Sequence, residues 1–395
     1  MRFKWGKNLK LLIVVTILVT FLTGCWDSEE LNTLAITGVI GIEKTNNKVN
    51  LIMEVYNPVA SGGKDTQQGE AAKYIQSNGE SFFDAIRNLT IVFDKKIFFA
   101  HTKEMIICED TARKGFIDLL DLWGRQHQPW PNTYLLISKG SKPADIIGGK
   151  SGIETTSANY IEDLITNSSK NTGKTVITNV TDFLRDYYGN GSGAVGVISK
   201  QKKMGVSGGK NTEYELVTEG AAIFSGQKLV GFLDGTETRA MNFATGKIKS
   251  AIIVSPTLDN QGINSVEVIR TENKINAYIE GNQILFTLDI KIMGTLAEET
   301  GSIDTDKNPE IIKTIANRNS EVVKKEVEDV IKKAQEEYKT DIFGFGHALH
   351  SKYPKQWKNI KGDWNYLFSL SEVRVTVNTE IENIGLLSSP LLTRR

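Results

Sequence analysis

Ile284, Phe286, Leu288, Ile290 and Ile292 place an apolar residue at every second position of one short segment. A strand projects such a set onto one face, so this segment must lie against a packed layer. After a polar loop (299–308) the period changes. Ile311, Ile315, Val323, Val327, Val330, Ala334 and Tyr338 form an apolar stripe at helical spacing, which predicts the longest helix over Pro309 to Tyr338. A one-faced sheet and a helix able to cover it point to a protein of mixed α and β structure. Mostly antiparallel sheets flanked by helices are expected, with one long helix in the C-terminal half.

The rest of the chain alternates in the same way. Leu34 to Glu43 and Val49 to Asn57 read as a hairpin around Asn46-Asn47. Phe82, Ala85, Ile86 and Leu89 predict a helix, with Ser81 and Asp84 at its start. "KKIFFA", "KEMIICE" and "NTYLLISKG" are strand-like, and "TARKGFIDLLDLWGRQ" reads as one amphipathic helix. Further helices are expected over Ala158 to Ile165 and in "TDFLRDYYG". The stretch 189–215 is Gly-rich and broken, so the main boundary is placed there, between a region 25–205 and a domain 206–395. Beyond it come a strand pair turning at Ser225-Gly226, a short helix and another strand. A three-strand meander with turns at Glu272-Asn273 and Gly281-Asn282 follows. Glu321 with Lys325, and Glu328 with Lys332, are oriented for i,i+4 pairing on the long helix. A short helix after Gly344 and Gly346 and a final strand at "EVRVTVNTEIENIG" complete the order.

The N-terminus has an export layout. Arg2, Lys4, Lys7 and Lys10 precede an apolar run from Leu11 to Leu22, which is shorter than the about 20 residues a spanning helix needs. Leu22-Thr23-Gly24-Cys25 then matches the lipobox of bacterial lipoproteins. The small residues admit a peptidase to the Gly24-Cys25 bond, and the Cys25 thiolate takes a diacylglyceryl group. Residues 1–24 are thus expected to be removed as a signal peptide, leaving Cys25 as a lipid anchor. Two acyl chains meet the requirement for stable attachment.

Formal net charge is zero, and without the basic leader the body is mildly acidic. That argues against a nucleic-acid binder or a polybasic membrane binder, both of which need clustered Lys and Arg. No catalytic constellation is evident, and an enzyme is not expected. Gly191, Gly193 and Gly196 form a GxGxxG, but after a helix-like segment rather than a strand. His347 and His350 could share a helix face, yet two ligands and a nearby Asp341 make no metal site. Cys108 reads as a buried thiol. Trp123, Arg125 and Trp130 in one cluster, and Trp357 and Trp364 in another, either mark an interface or cap the core under loops. Asp234, Glu237 and Arg239 suggest an N-cap and a structural ion pair.

"LTGCWDSEELNTLAITGVIGIE", "VGFLDGTETRAMNFATGKIKSAIIV", "DIFGFGHALHSKYPKQWKNIKGDW" and "VRVTVNTEIENIG" together resemble the spore germination lipoproteins of the Ger(x)C type. The likeness spans nearly the whole chain and implies an α+β body built from several subdomains, each a sheet with helices. It departs at "GRQHQPWP", where a charged stretch is more usual, and at His347, where an acid is expected. The resemblance implies the C subunit of a germinant receptor, lipid-anchored on the outer face of the spore inner membrane beside polytopic A and B subunits. It implies no cofactor beyond the diacylglycerol and N-acyl lipid on Cys25. A solute-binding lipoprotein of a transporter is the alternative, although such proteins show two lobes of repeated strand–helix alternation.

Overall fold

The structure is a computed structural model. It describes residues 33–56, 71–125, 132–149, 154–189, 191–202, 214–258, 260–281, 283–300 and 309–383, with Gly6, Leu11, Leu12, Val14 and Thr16 nearer the N-terminus. The chain opens with β1 (Leu34–Thr45), β2 (Lys48–Tyr56), β3 (Ala72–Gly79), α1 (Phe82–Val92), β4 (Lys96–Phe98) and β5 (Glu104–Cys108). It continues through α2 (Glu109–Lys114), α3 (Ile117–Arg125), β6 (Tyr134–Ser138), α4 (Pro143–Ile146), α5 (Ser157–Thr172) and α6 (Val180–Gly189). Then come β7 (Ser192–Lys202), β8 (Tyr214–Val217), β9 (Ala221–Ser225), β10 (Lys228–Leu233), α7 (Gly235–Ala244), β11 (Ile252–Pro256), β12 (Ile263–Glu280) and β13 (Gln283–Glu299). Last are α8 (Pro309–Lys333), α9 (Phe345–Lys352), α10 (Pro354–Ile360), α11 (Trp364–Leu370) and β14 (Glu372–Asn383).

The first ten strands form one sheet, ordered β10-β9-β7-β6-β5-β1-β2-β3, with β4 on β1 and β8 on β7. Its centre is parallel: β1, β5, β6 and β7 run the same way, while hairpins close both flanks. Parallel strands bury both faces, which is why all five residues of β5 are buried. Ile40, Met105 and Ile137 face α1, α3 and α6. Val39, Ile106 and Leu136 face α4 and α5 on the other side. Asn46 and Asn47 sit at φ 50° and 62°, as a two-residue hairpin turn between right-twisted strands demands.

The second sheet is β11-β12-β13-β14. The alternating residues of β13 pack beneath α8, whose stripe residues Val323, Val327 and Val330 are fully buried. α8 ends in a π-helical turn, Ala334–Tyr338, and the chain returns to lay β14 parallel to β13. The two sheets share a core through β9 and β10: Ile223 and Leu233 pack into the second cluster, Ala222 and Phe224 into the first.

Several local expectations are corrected. The Gly-rich stretch from 192 is β7, an eleven-residue strand inside the large sheet. A Cβ at Gly196 would stand 2.6 Å from the Val176 carbonyl oxygen, so glycine here permits close backbone approach rather than a break. The sheet also takes up β9 and β10. The stretch read as one helix around Gly115 is two, α2 and α3, because Gly115 has φ 101°. The meander has two strands, not three. β12 runs straight through Asn273, whose side chain donates to the Ala244 carbonyl at 2.7 Å instead of turning the chain. On α8 the pairs formed are Lys324–Glu328 at 3.7 Å and Lys332–Glu336 at 3.9 Å, not those expected.

Candidate functional site

The second aromatic cluster is organised by Asp341, which is only 2% exposed. Its Oδ1 accepts the backbone N–H groups of Phe343, Gly344 and Phe345 at 3.0, 3.0 and 3.2 Å. Its Oδ2 accepts Gly346 N–H at 2.7 Å and the Trp364 indole N–H at 3.1 Å. A carboxylate thus satisfies the donors that the start of α9 would otherwise leave open. Gly346 cannot carry a side chain here, since a Cβ would lie 2.6 Å from Trp364 Nε1 and 2.9 Å from the Trp357 ring. Trp364 packs edge-on against Trp357 and Phe286, and His350 stacks on Trp357. Trp357 and Trp364 are therefore buried in the fold, not offered to a partner.

A second cluster ties α7 to α8. Asp234 caps α7 and forms a capping box with Glu237. Glu237 also accepts Lys333 Nζ at 2.8 Å, and Arg239 donates to Glu326 at 2.5 Å and to the Ile252 carbonyl at 2.9 Å. Burial pushes the Glu326 carboxyl up, and Arg239 draws it back only in part. The expected N-cap and ion pair are both present, with their cations and anions supplied by α8.

A third cluster lies at the end of the large sheet where β1 begins. Leu34 pairs with Lys96 and Val39 with Glu104, and β6 starts at Tyr134 beside them. A cleft of about 350 Å³ opens there between His101, Thr102, Lys103, Asn132, Tyr134 and Glu162. Lys103 Nζ bridges Glu162 and Asn159. Behind the cleft, Glu54 accepts the N–H groups of Ser157 and Ala158 at 2.7 and 2.9 Å, neutralising the start of α5. Glu104 is wholly buried, and neither carboxyl oxygen has a hydrogen-bond partner among the described residues. Burial, then the charge of Glu162, push it well above the usual carboxylate range, which favours the neutral form. Burial and Glu104 likewise raise the Tyr56 phenol.

Gly24, Cys25 and Trp130 lie outside the described residues. Trp123 is buried edge-on against Phe99. Arg125 is exposed and pairs with Asp121 at 2.7 Å, on a groove of about 690 Å³ between α3 and α6 that Leu184 and Tyr188 also line. His347 is exposed on a cleft of about 620 Å³ with Arg185, Asp186, Thr245 and Asn273. Cys108 is buried and free. Among the described residues no His, Cys, Asp or Glu group could hold a metal ion, and no helix is long and apolar enough to cross a membrane. Sequence reasoning missed Asp341 as an organiser and Glu104 altogether. The run of donors in "DIFGFG" was a usable signal for the first. Glu104 stands next to an apolar run, and nothing local announced its burial.

Comparison with known proteins covers both halves. Residues 27–200 match the family described as "Spore germination protein N-terminal domain", and residues 219–385 match "Spore germination B3/ GerAC like, C-terminal". Spore germination protein B3 of Bacillus subtilis is 24% identical over 94% of this chain and 97% of its own length. Spore germination protein YndF is 26% identical over 98% and 99%, and spore germination protein KC 23% over 96% and 97%, both also of Bacillus subtilis. The crystal structure of the GerBC protein shares the fold, with a TM-score of 0.58 at 20% identity, covering 90% of this chain and all of that one. With both halves matched in order, this chain belongs to the Ger(x)C family of spore germination proteins.

Proposed function

We propose that this protein is the lipid-anchored C subunit of a spore germinant receptor. It is held on the outer face of the spore inner membrane and works with A and B membrane subunits, without catalysis. The observation that carries the anchoring is the tetrad Leu22-Thr23-Gly24-Cys25 directly behind a short apolar run, eight residues ahead of the first described residue of the body. Family membership supports the receptor role. A structural rather than catalytic use of the buried ionisable groups fits the same reading: five N–H donors engage Asp341, and Arg239 engages Glu326. The lipid confines the body to the membrane surface, which raises its effective concentration near its partners without a tight interface. An affinity pull-down from detergent-solubilised spore inner membrane tests the reading. It should recover two polytopic germination subunits, with recovery and the germination response both weakened by Cys25→Ala. Recovery of a permease and an ATPase instead would make this a solute-binding lipoprotein.

A further inference from the structure

We infer that the cleft at the start of β5 is a binding site for a small ammonium compound, whose charged head is received by the Glu104 carboxylate between β5 and α5. This goes beyond the receptor reading and does not need the lipid anchor. Both Glu104 carboxyl oxygens are shut off from solvent, and neither has a hydrogen-bond partner among the described residues. A buried carboxyl that serves only packing is normally paired. Glu104 does not stand alone: the buried hydroxyls of Tyr56 and Thr102 also lack partners among the described residues.

The topology brings these groups together. Val39, Glu104 and Tyr134 stand in register on adjacent strands, and Val39 packs with Ile106 in the layer under α5. Residues paired across strands share a face, so Glu104 points to that side, toward the cleft wall formed by Tyr134 and Glu162. Thr102 lines the same cleft. Tyr56 reaches over β1 from β2. A Cβ at Gly38 would lie 2.9 Å from the Tyr56 hydroxyl, and the Gly38 carbonyl accepts the Lys103 N–H at 2.8 Å. The phenol therefore ends beside the start of β5.

Charge selects the ligand. Glu54 on β2 and Glu162 on α5 both act on Glu104, with the phenols of Tyr56 and Tyr134 beside them and His101 on the rim. Lys103 is the cation at this point, and its Nζ is already bound to Glu162 and Asn159. Glu54 is bound by two backbone N–H groups. Glu104 is left as the acceptor without a donor, so the site takes a cation that carries N–H groups and rejects an anion. The cleft of about 350 Å³ restricts that cation to a small molecule. Burial and Glu162 raise the Glu104 carboxyl, which favours its neutral form in the free protein. An ammonium favours the carboxylate, so uptake releases a proton to solvent and tightens as pH rises.

Isothermal titration calorimetry of the full-length protein in non-ionic detergent tests this. Ethylammonium, butylammonium and phenethylammonium are the probes, and tetramethylammonium, which has no N–H donor, is the control. At least one primary ammonium should bind, more tightly at about pH 8 than at about pH 6, with proton release read as a difference in heat between phosphate and Tris buffers. Glu104→Gln should weaken binding about ten- to hundredfold and remove its pH dependence. Arg125→Ala, outside the cleft, should leave it unchanged. Unaltered affinity in Glu104→Gln overturns the inference. So does binding without proton release in the parent protein, a readout that stands even where the variant fails to fold. Failure of every primary ammonium to bind, or equal binding of tetramethylammonium or sodium, overturns it as well, because water or an inorganic cation would then satisfy Glu104. None of these outcomes touches the anchor or the membrane partners, which the pull-down tests.

Discussion

Asp341 and Glu104 are both buried carboxyl groups at the mouth of a secondary-structure element, and the fold treats them in opposite ways. Asp341 is surrounded by five N–H donors at the start of α9, while Glu104 has no hydrogen-bond partner among the described residues at the start of β5. A buried polar group is inexpensive when its hydrogen bonds are complete and costly when they are not. Asp341 therefore organises its surroundings: it sets the chain reversal after α8 and locks Trp364 over Gly346. Glu104 is pushed well above the usual carboxylate range by burial and by the charge of Glu162. The same residue class is an architectural element in one half and a pH-dependent weakness in the other.

Removing the Asp341 carboxylate should have the largest effect. Asp341→Ala leaves five donors unsatisfied and should cost about 3–5 kcal/mol in urea unfolding, with Asp341→Asn intermediate. A loss equal to that of an ordinary surface change would break the contrast. Glu326 is a middle case, half-buried and facing a cation. Arg239→Ala strands it, and should cost about 2–3 kcal/mol, part of which Glu326→Gln restores in a double-mutant cycle.

The effect at Glu104 has the opposite sign. Its folded-state pKa is raised, so the unfolded chain loses the proton first as pH rises. Stability is then full below the ordinary glutamate range and falls as pH climbs toward the folded value. Glu104→Gln should remove that slope, matching the parent near pH 4 and exceeding it by on the order of 1 kcal/mol at pH 7 to 8. Thermal unfolding across that range decides it; a variant less stable at pH 8 would show that the carboxylate is ionised and paired. Asp121 with Arg125 completes the series as an exposed pair. Arg125→Ala should leave the melting temperature unchanged, and a reduced recovery of membrane partners would then report an interface rather than a fold defect.

The contrast also explains what could be read in advance. The β1–β2 hairpin, the Ser81 and Asp234 caps and the stripe of α8 depend on contacts within a few residues, so their signals are local. β7 and the straight course of β12 were misread because Gly196 and Asn273 answer to distant partners, the Val176 carbonyl and the Ala244 carbonyl. The sequence left open whether the tryptophans mark an interface or cap the core, because nothing in their neighbourhood shows that Gly346 leaves room for two indoles.

By itself the sequence determined the periods of strand and helix, the local caps and turns, and the Leu22–Cys25 box, because each is set by residue type at short spacing. Only the tertiary structure decided the parallel centre of the large sheet, the joining of both cores through β9 and β10, and the fates of Asp341 and Glu104. Those outcomes depend on which backbone groups meet across long stretches of chain, and short-range pattern carries no record of that.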